Sequence, residues 1–442
     1  MKQDQKSLNS LVNSRKVAIA ALIEINEAKA YANLYLPNYF EKQQVPLEIR
    51  AFVTELVYGS LRWQGWYDYL VAEFSDRSFN QIDNRTLAAL RIGTHQLIGM
   101  NVENYAAVNE TVSAAIEILG KARSAFVNAM LRKISQCDIK NIEEEKLSEL
   151  NIKNLSIRYS HPEWIVSAYF DVLKDLDLVK SLLIANNHST KPDLVCWPTK
   201  SSLSDLVEAT DFEPILGTKY GFTTKSIPSD LEIIRNRQGA VQDRASQKIV
   251  EIIIEDFDTG LNWLDMCAGP GGKAAYLYYS LCQRETDPKF LAYEVSEHRA
   301  ALVKQVLPSH LVKQVDSREL PVNQFDRIIL DAPCTGLGAL RRRPEARWAK
   351  AASILKELIP LQRSLLNAAG LAVRKSGFIY YITCSPHKAE TESMVHEFLI
   401  DHPDFKLIPI GSGKSAEDGY HRSWTHKGEG DSMFMAKLQR VN

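Results

Sequence analysis

The sequence predicts a multi-domain protein: an all-α N-terminal bundle, a small α+β connecting subdomain and a C-terminal doubly wound α/β domain. Three observations carry this. From Ser14 to about Ile134 apolar residues recur at helical spacing throughout. Residues 190–235 change to short β-like runs, LVCW and GFTTK, between polar turns. Residues 261–273 then read LNWLDMCAGPGGK. There an apolar run ends at Asp265, a tight segment holds Gly269, Pro270, Gly271 and Gly272, and an alanine-rich stretch starts at Lys273. Strand, glycine turn and helix form the opening unit of a doubly wound sheet. A chain of 442 residues has room for two or three domains.

In chain order, residues 1–13 are polar and expected to fray. Val17, Ala20, Ala21 and Ile25 share one helical face, as do Phe52, Leu56, Val57 and Leu61. Ile82, Leu87, Leu90, Ile92, Leu97 and Ile98 make another, and Ala107 to Ala115 and Ala125 to Leu131 complete a bundle over 1–140. Residues 135–155, with NIEEEKLSEL, are charged and low in apolar content and read as a linker. Pro162-Glu163-Trp164 opens a new helix with Pro near its first turn, beginning a connecting subdomain over 155–238. The α/β domain spans 239–442. In it VQDRASQ (241–247) precedes a helix at 248–254, residues 351–374 form a long amphipathic helix, and 405–440 end in an antiparallel hairpin at the sheet edge.

The glycine turn is neither G-x-G-x-x-G nor a P-loop, because Lys273 is followed by Ala rather than Ser or Thr. The following strands sharpen the picture. FLAYE (290–294) ends in Glu294, LVKQVD (311–316) in Asp316, FDRIILDAPC (325–334) in Asp331 and Cys334, and GFIYYITC (377–384) in Cys384. Singly, each acid suits a solvated loop. Together with Asp265 they put an acid or a thiol at five successive carboxyl ends, where open α/β sheets bind ligands. After Cys334, Gly336 and Gly338 predict a mobile loop of close approach.

Composition sets limits. Hydrophobic content of 45% and charged content of 24% are those of a globular protein. A net charge of −1 excludes a global basic field, so a nucleic-acid partner needs a local patch. Arg341, Arg342, Arg343, Arg347 and Lys350 supply one. The six cysteines include no C-x-x-C pair, so no metal site is expected. The N-terminus lacks an apolar signal core and no run of about eighteen apolar residues occurs. A reducing cytoplasm with free thiols, and no membrane, is the expectation.

CAGPGGK (267–273), DAPCTGLG (331–338) with RRRPEARW (341–348), and TCSPHKAETE (383–392) resemble the motifs of RNA 5-methylcytosine methyltransferases. VQDRASQ resembles the stretch before their first strand. VYGSLRW (57–63), ALRIGTHQL (89–97), AAVNETVSAA (106–115) and FVNAMLRKI (126–134) resemble the NusB-type RNA-binding domain. The family often has Ala where Gly269 stands and Asp where Glu294 stands, and TDGFF where GDSMF (430–434) is found.

The resemblance implies a Rossmann-like methyltransferase domain behind a NusB-like bundle, with S-adenosyl-L-methionine as cofactor and small-subunit ribosomal RNA as partner, in a monomer. Transfer RNA is the nearest rival substrate; a non-catalytic RNA-binding or antitermination factor is the rival of another class. Carbon 5 of cytosine is a poor nucleophile until a thiolate adds to carbon 6, a form of covalent catalysis. By resemblance Cys384 is that nucleophile, Cys334 assists product release, and Asp331 bonds the cytosine edge beside the cofactor. Residues Cys267, Ala268, Gly269, Pro270, Gly271, Gly272 and Lys273 hold the methionine moiety, Glu294 the ribose hydroxyls and Asp316 the adenine amino group. Lys273 meets either a carboxylate or an RNA phosphate. Arg62, Arg91 and Arg132 are candidate phosphate contacts, and the arginine patch after Cys334 is expected to hold the RNA backbone.

Overall fold

The computed structural model describes residues 13–201, 212–410 and 419–441. The opening expected to fray lies outside them except for Asn13. The chain forms two compact units. One holds the residues up to Asn187 together with Arg342–Ala351; the other holds His188–Arg341 and the residues from Ala352 onward.

The first unit is helical. Helix α1 (Ser14–Ala28) starts at Asn13, whose side chain accepts from the N–H groups of Arg15 and Lys16. It is followed by α2 (Ala32–Lys42), α3 (Leu47–Arg62), α4 (Gln64–Phe74), α5 (Asn84–Thr94), α6 (Asn104–Leu119) and α7 (Lys121–Gln136). The core is built from the faces read in the sequence, with Ala21, Ile25, Leu56, Val57, Leu61, Leu87, Leu90 and Ile92 all buried. Residues 139–146, inside the expected linker, form a helix, α8 (Ile139–Lys146). Asp138 caps it by accepting from Lys140 and Asn141 N–H groups, Arg158 pairs with Glu143, and the following Leu147 packs among Trp66, Tyr67 and Leu70. A cap and ion pairs offset what composition lacks. Helices α9 (Ile152–Arg158), α10 (Glu163–Leu173) and α11 (Leu176–Asn187) complete the unit.

Two of the arginines expected to meet phosphate face inward. Arg91 is buried and forks onto Asp68, Nε to Oδ1 and Nη2 to Oδ2, both at 2.8 Å. Arg62, the last residue of α3, is buried too. Arg132 remains exposed. The patch after Cys334 is likewise turned in. Arg347 is fully buried, donating from Nη1 to the carbonyls of Arg62 (2.9 Å) and Ser160 (3.2 Å) and to Asn187 Oδ1 (2.7 Å), and from Nη2 to the Asn186 carbonyl (2.8 Å). Trp348 fills the space above Gly65, where a Cβ would stand 2.4 Å from the indole. Of the patch only Arg343 is exposed, over the Tyr31 ring at 5.0 Å.

The second unit begins with a four-stranded antiparallel sheet in the order β2 (Phe212–Pro214), β3 (Gly221–Thr224), β1 (Leu194–Cys196), β4 (Gly239–Val241). Helix α12 (Arg244–Ile254) leads to the main sheet. Its path runs β10 (Phe405–Ile408), β12 (Phe434–Arg440), β9 (Val373–Thr383), β8 (Phe325–Asp331), β5 (Trp263–Asp265), β6 (Phe290–Tyr293), β7 (Val312–Lys313), with β11 (Tyr420–Arg422) beside β12. Strands β5 to β9 are parallel and β12 is antiparallel. The expected antiparallel hairpin stands at this end of the sheet as β11 paired with β12, but β12 is not the edge strand: it is inserted between β9 and β10, pairing with both. Alternate residues feed two cores. Trp263, Ile329, Ile382 and Met435 pack on one face and Leu264, Leu330, Tyr381 and Phe434 on the other. Helix α13 (Gly272–Cys282) follows β5, α14 (Glu297–Val303) follows β6, α15 (Leu355–Ala372) precedes β9 and α16 (Glu392–Asp401) follows it.

Candidate active site

Strand order reverses on either side of β5, so the crevice between the ends of β5 and β8 is where a doubly wound sheet binds its ligand. A cavity of about 400 Å³ lies there. Glu294, Asp316, Asp331, Cys334 and Cys384 all line it, as do Cys267, Gly269 and Lys273. Asp265, the fourth strand-end acid, is buried.

The glycine turn is shaped by its neighbours. Gly269 donates its N–H to Glu294 Oε2 at 3.1 Å, and a Cβ on Gly269 would stand 2.4 Å from that oxygen. The two departures from the family pattern thus compensate: the longer Glu294 needs the missing side chain at Gly269. Glu294 Oε1 accepts from Ser296 N–H (2.9 Å) and Arg299 (2.8 Å). Gly271 has φ 113°, the left-handed region that glycine tolerates. Helix α13 starts behind it without a side-chain cap, leaving backbone N–H groups for an anion. Strand β7 stops at Lys313, so Asp316 stands beyond the strand, its carboxylate held by Arg318 and below the usual range through those bonds.

Lys273 meets a carboxylate: Nζ stands 2.8 Å from Asp331 Oδ2. Burial opposes its charge, but Asp331, with Cys384 and Asp265 beyond, holds it above the ordinary lysine value. Asp265 is pushed up to about 7 by burial and then by Asp331. Burial and nearby carboxylates also raise Cys267. Cys334 is pushed up to about 12 by burial, then by Glu390 and Asp331. Cys384 instead faces Lys273, and its Sγ lies 3.9 Å from Asp431 Oδ2.

The loop after Cys334 is clamped where mobility was expected. Gly338 N–H donates to the Cys384 carbonyl and the Ser432 N–H to the Gly338 carbonyl, both at 3.0 Å. A Cβ on Gly338 would fall 1.8 Å from the Ser432 oxygen, so the close approach is real and the glycine fixes it. Arg341 reaches Asp243 Oδ2 at 3.2 Å, and Asp243 Oδ1 accepts from Asp431 N–H at 2.8 Å. The VQDRASQ stretch thereby acts as a tie, with Asp243 joining the Cys334 loop to the segment under Cys384. Asp243, Glu390 and Asp431 belong to the site without being legible as site residues. All three stand inside quoted stretches, but nothing in spacing reveals a carboxylate that bonds across loops. Among the described residues no cluster of three or more His, Cys, Asp or Glu side chains could hold a metal, and no helix is long and apolar enough to cross a membrane.

The cavity fits an amino-acid nucleoside. Its size is that of a small-ligand site, carboxylates stand where hydroxyl and amino donors need acceptors, uncapped N–H groups suit a carboxylate, and Leu361, Leu365 and Pro333 give apolar walls. Fold and site define an S-adenosylmethionine-dependent methyltransferase. Residues 253–439 match the family described as 16S rRNA methyltransferase RsmB/F, and residues 12–136 match the NusB family. "Putative methyltransferase Rv1407" of Mycobacterium tuberculosis is 36% identical over 451 residues, covering 97% of this chain and 96% of the relative. The ribosomal RNA small subunit methyltransferase B of Yersinia enterocolitica is 26% identical over 98% of this chain and 99% of its own. The crystal structure of PH0851 superposes with a TM-score of 0.79 at 22% identity, covering 97% of this chain and 99% of that one. The chain belongs to the RsmB/F family of RNA methyltransferases, with a NusB domain at its N-terminus.

Proposed function

We propose that the protein makes 5-methylcytosine in small-subunit ribosomal RNA, working as a monomer in the bacterial cytoplasm, with Cys384 as nucleophile. The observation that carries this is that Cys334 and Cys384 line one cavity with the Lys273–Asp331 pair. The printed names of full-length relatives support the ribosomal substrate.

A cation next to a thiol favours the thiolate, the form that attacks. Lys273 supplies that charge to Cys384. Addition of the Cys384 thiolate to carbon 6 forms an S–C bond and moves the ring's electron pair toward N3, making carbon 5 nucleophilic. Asp331, held by Lys273, bonds the cytosine edge. Bound S-adenosylmethionine supplies a methyl group on a sulfonium, already activated for transfer to carbon 5. The carbon 5 proton then passes to solvent water, the S–C6 bond breaks and Cys384 leaves as thiolate, a release that Cys334 assists. Glu294 takes the ribose hydroxyls, Asp316 the adenine amino group, and the 267–273 turn the methionine moiety. The target base must be unpaired or flipped out to reach the thiol.

The test uses labelled methyl donor with unmodified small-subunit ribosomal RNA and, separately, transfer RNA. Ribosomal RNA should be labelled at a cytosine. Cys384→Ser should abolish transfer, whereas Cys334→Ala should accumulate a covalent enzyme–RNA adduct that survives denaturing gels. Labelling of transfer RNA alone would overturn the substrate, and an adduct seen only in Cys384→Ala would exchange the two thiols.

A further inference from the structure

Two thiols sharing one cavity pose a question the reaction does not answer: what keeps the second from competing with the first. Glu390 is fully buried and bonds both loops at once. Its Oε1 accepts from the Thr335 N–H at 2.7 Å and Gln362 Nε2 at 3.1 Å; its Oε2 accepts from the Thr335 hydroxyl at 2.5 Å and the Ser385 hydroxyl at 2.6 Å. Thr335 follows Cys334 in the chain and Ser385 follows Cys384. The Glu390 carbonyl is itself held by the Tyr381 hydroxyl at 2.9 Å.

We infer that Glu390 is a positioning residue that helps decide which thiol attacks: it locks the two cysteine loops together and sets its carboxylate against the Cys334 loop, bonded to both the N–H and the hydroxyl of Thr335. The inference rests on Cys384 being the nucleophile. A thiol facing a carboxylate gives up its proton reluctantly. The groups facing Cys334 are Glu390, Asp331 at the end of β8 and the Tyr381 hydroxyl on β9, together with the backbone N–H groups of Gly336 and Cys384. Both carboxylates disfavour a second anion there. Those facing Cys384 include the Lys273 ammonium and Asp431. Burial and two carboxylates thus act together on Cys334, whereas Cys384 has the Lys273 ammonium to set against Asp431.

The test is Glu390→Gln in the full chain. Glutamine keeps the shape, and its amide can donate to the Thr335 and Ser385 hydroxyls, so the charge goes while the links persist. Iodoacetamide is the probe, with the rate at each cysteine read by peptide mass spectrometry across pH. Wild-type Cys384 should react at lower pH than Cys334. In Glu390→Gln, Cys334 labelling at mildly alkaline pH should rise about tenfold, the effect of one unit of thiol acidity, with cofactor affinity unchanged in calorimetry. Equal pH midpoints for the two thiols in the wild type, or an unchanged Cys334 rate in a folded Glu390→Gln protein, would overturn the inference. If that variant does not fold, Ser385→Ala removes one link and keeps the charge; Cys334 should stay slow, and a gain in its reactivity would overturn the inference too. Retained methyl transfer in Cys384→Ala would instead sink the nucleophile reading and leave the labelling result standing.

Discussion

The two units satisfy their buried charges differently. The helical unit buries cations: Arg347 sits in a cage of three carbonyls and an asparagine oxygen, and Arg91 lies on Asp68. Beside Arg347, His161 is kept neutral, its affinity for protons lowered by burial and then by that guanidinium. The catalytic unit buries anions: Asp243, Asp265, Glu294 and Glu390, held largely by backbone N–H groups and hydroxyls. The Arg347 guanidinium spends both its Nη groups inside the fold and serves as an internal strut. A carboxylate at a strand end keeps lone pairs over for a ligand. So equal burial means different things: Arg347 is engaged inside the fold, whereas Asp265 and Glu294 stand at strand ends by the cavity.

The sharpest way to break this contrast is at Arg347. Arg347→Met should cost about 3–5 kcal/mol in denaturant unfolding, because several buried acceptors lose their donor together. Lysine should restore little, since one ammonium cannot span the fork. A loss below about 1 kcal/mol would show that the cage is not structural.

Next in size is the Gly269–Glu294 pair. Gly269→Ala should weaken cofactor binding by about 1–3 kcal/mol, the usual cost of overpacking, as read by calorimetry. Glu294→Asp should also weaken it, and the double variant should bind better than Gly269→Ala alone. Additive losses would separate the two positions.

Asp265 gives a smaller, pH-dependent effect. Its folded value is raised to about 7, so between the ordinary carboxylate range and that value the folded state holds more protons than the unfolded one. Stability contributed by this group is present at acid pH and is lost as pH rises toward 7. Unfolding of wild type and Asp265→Asn at both ends of that window should show the variant gaining relative stability at the upper end; a constant difference would contradict the raised value.

The smallest effect is expected at Arg343. Its contact with Tyr31 is exposed, so Arg343→Ala should change stability by less than about 1 kcal/mol. If it touches RNA phosphate, the salt slope of binding should fall by about one.

These contrasts explain what the sequence could reveal. Asp265, Glu294, Asp331 and Cys384 were legible because a doubly wound sheet sends every strand's carboxyl end to one side, so spacing alone groups them. Arg62, Arg91 and Arg347 were not, since a helical periodicity does not say whether an arginine meets solvent or a carbonyl three helices away. Residues 139–146 read as linker because their stability lies in a cap and ion pairs rather than in apolar pattern. Glu390 stood in plain view inside a motif, but its bonds run to residues 28 to 55 positions distant as well as to its neighbour Ser385.

The placement of Arg342–Ala351 in the helical unit has a consequence in time. A ribosome finishes the first helices at Asn187, yet the arginine that fills their cage emerges only after residues 188–341 have been made. At roughly 5–20 residues per second, the cage waits on the order of ten seconds or more with its carbonyls unmatched. The helical bundle is therefore begun before the catalytic unit but completed only after most of that unit's parallel strands have been made.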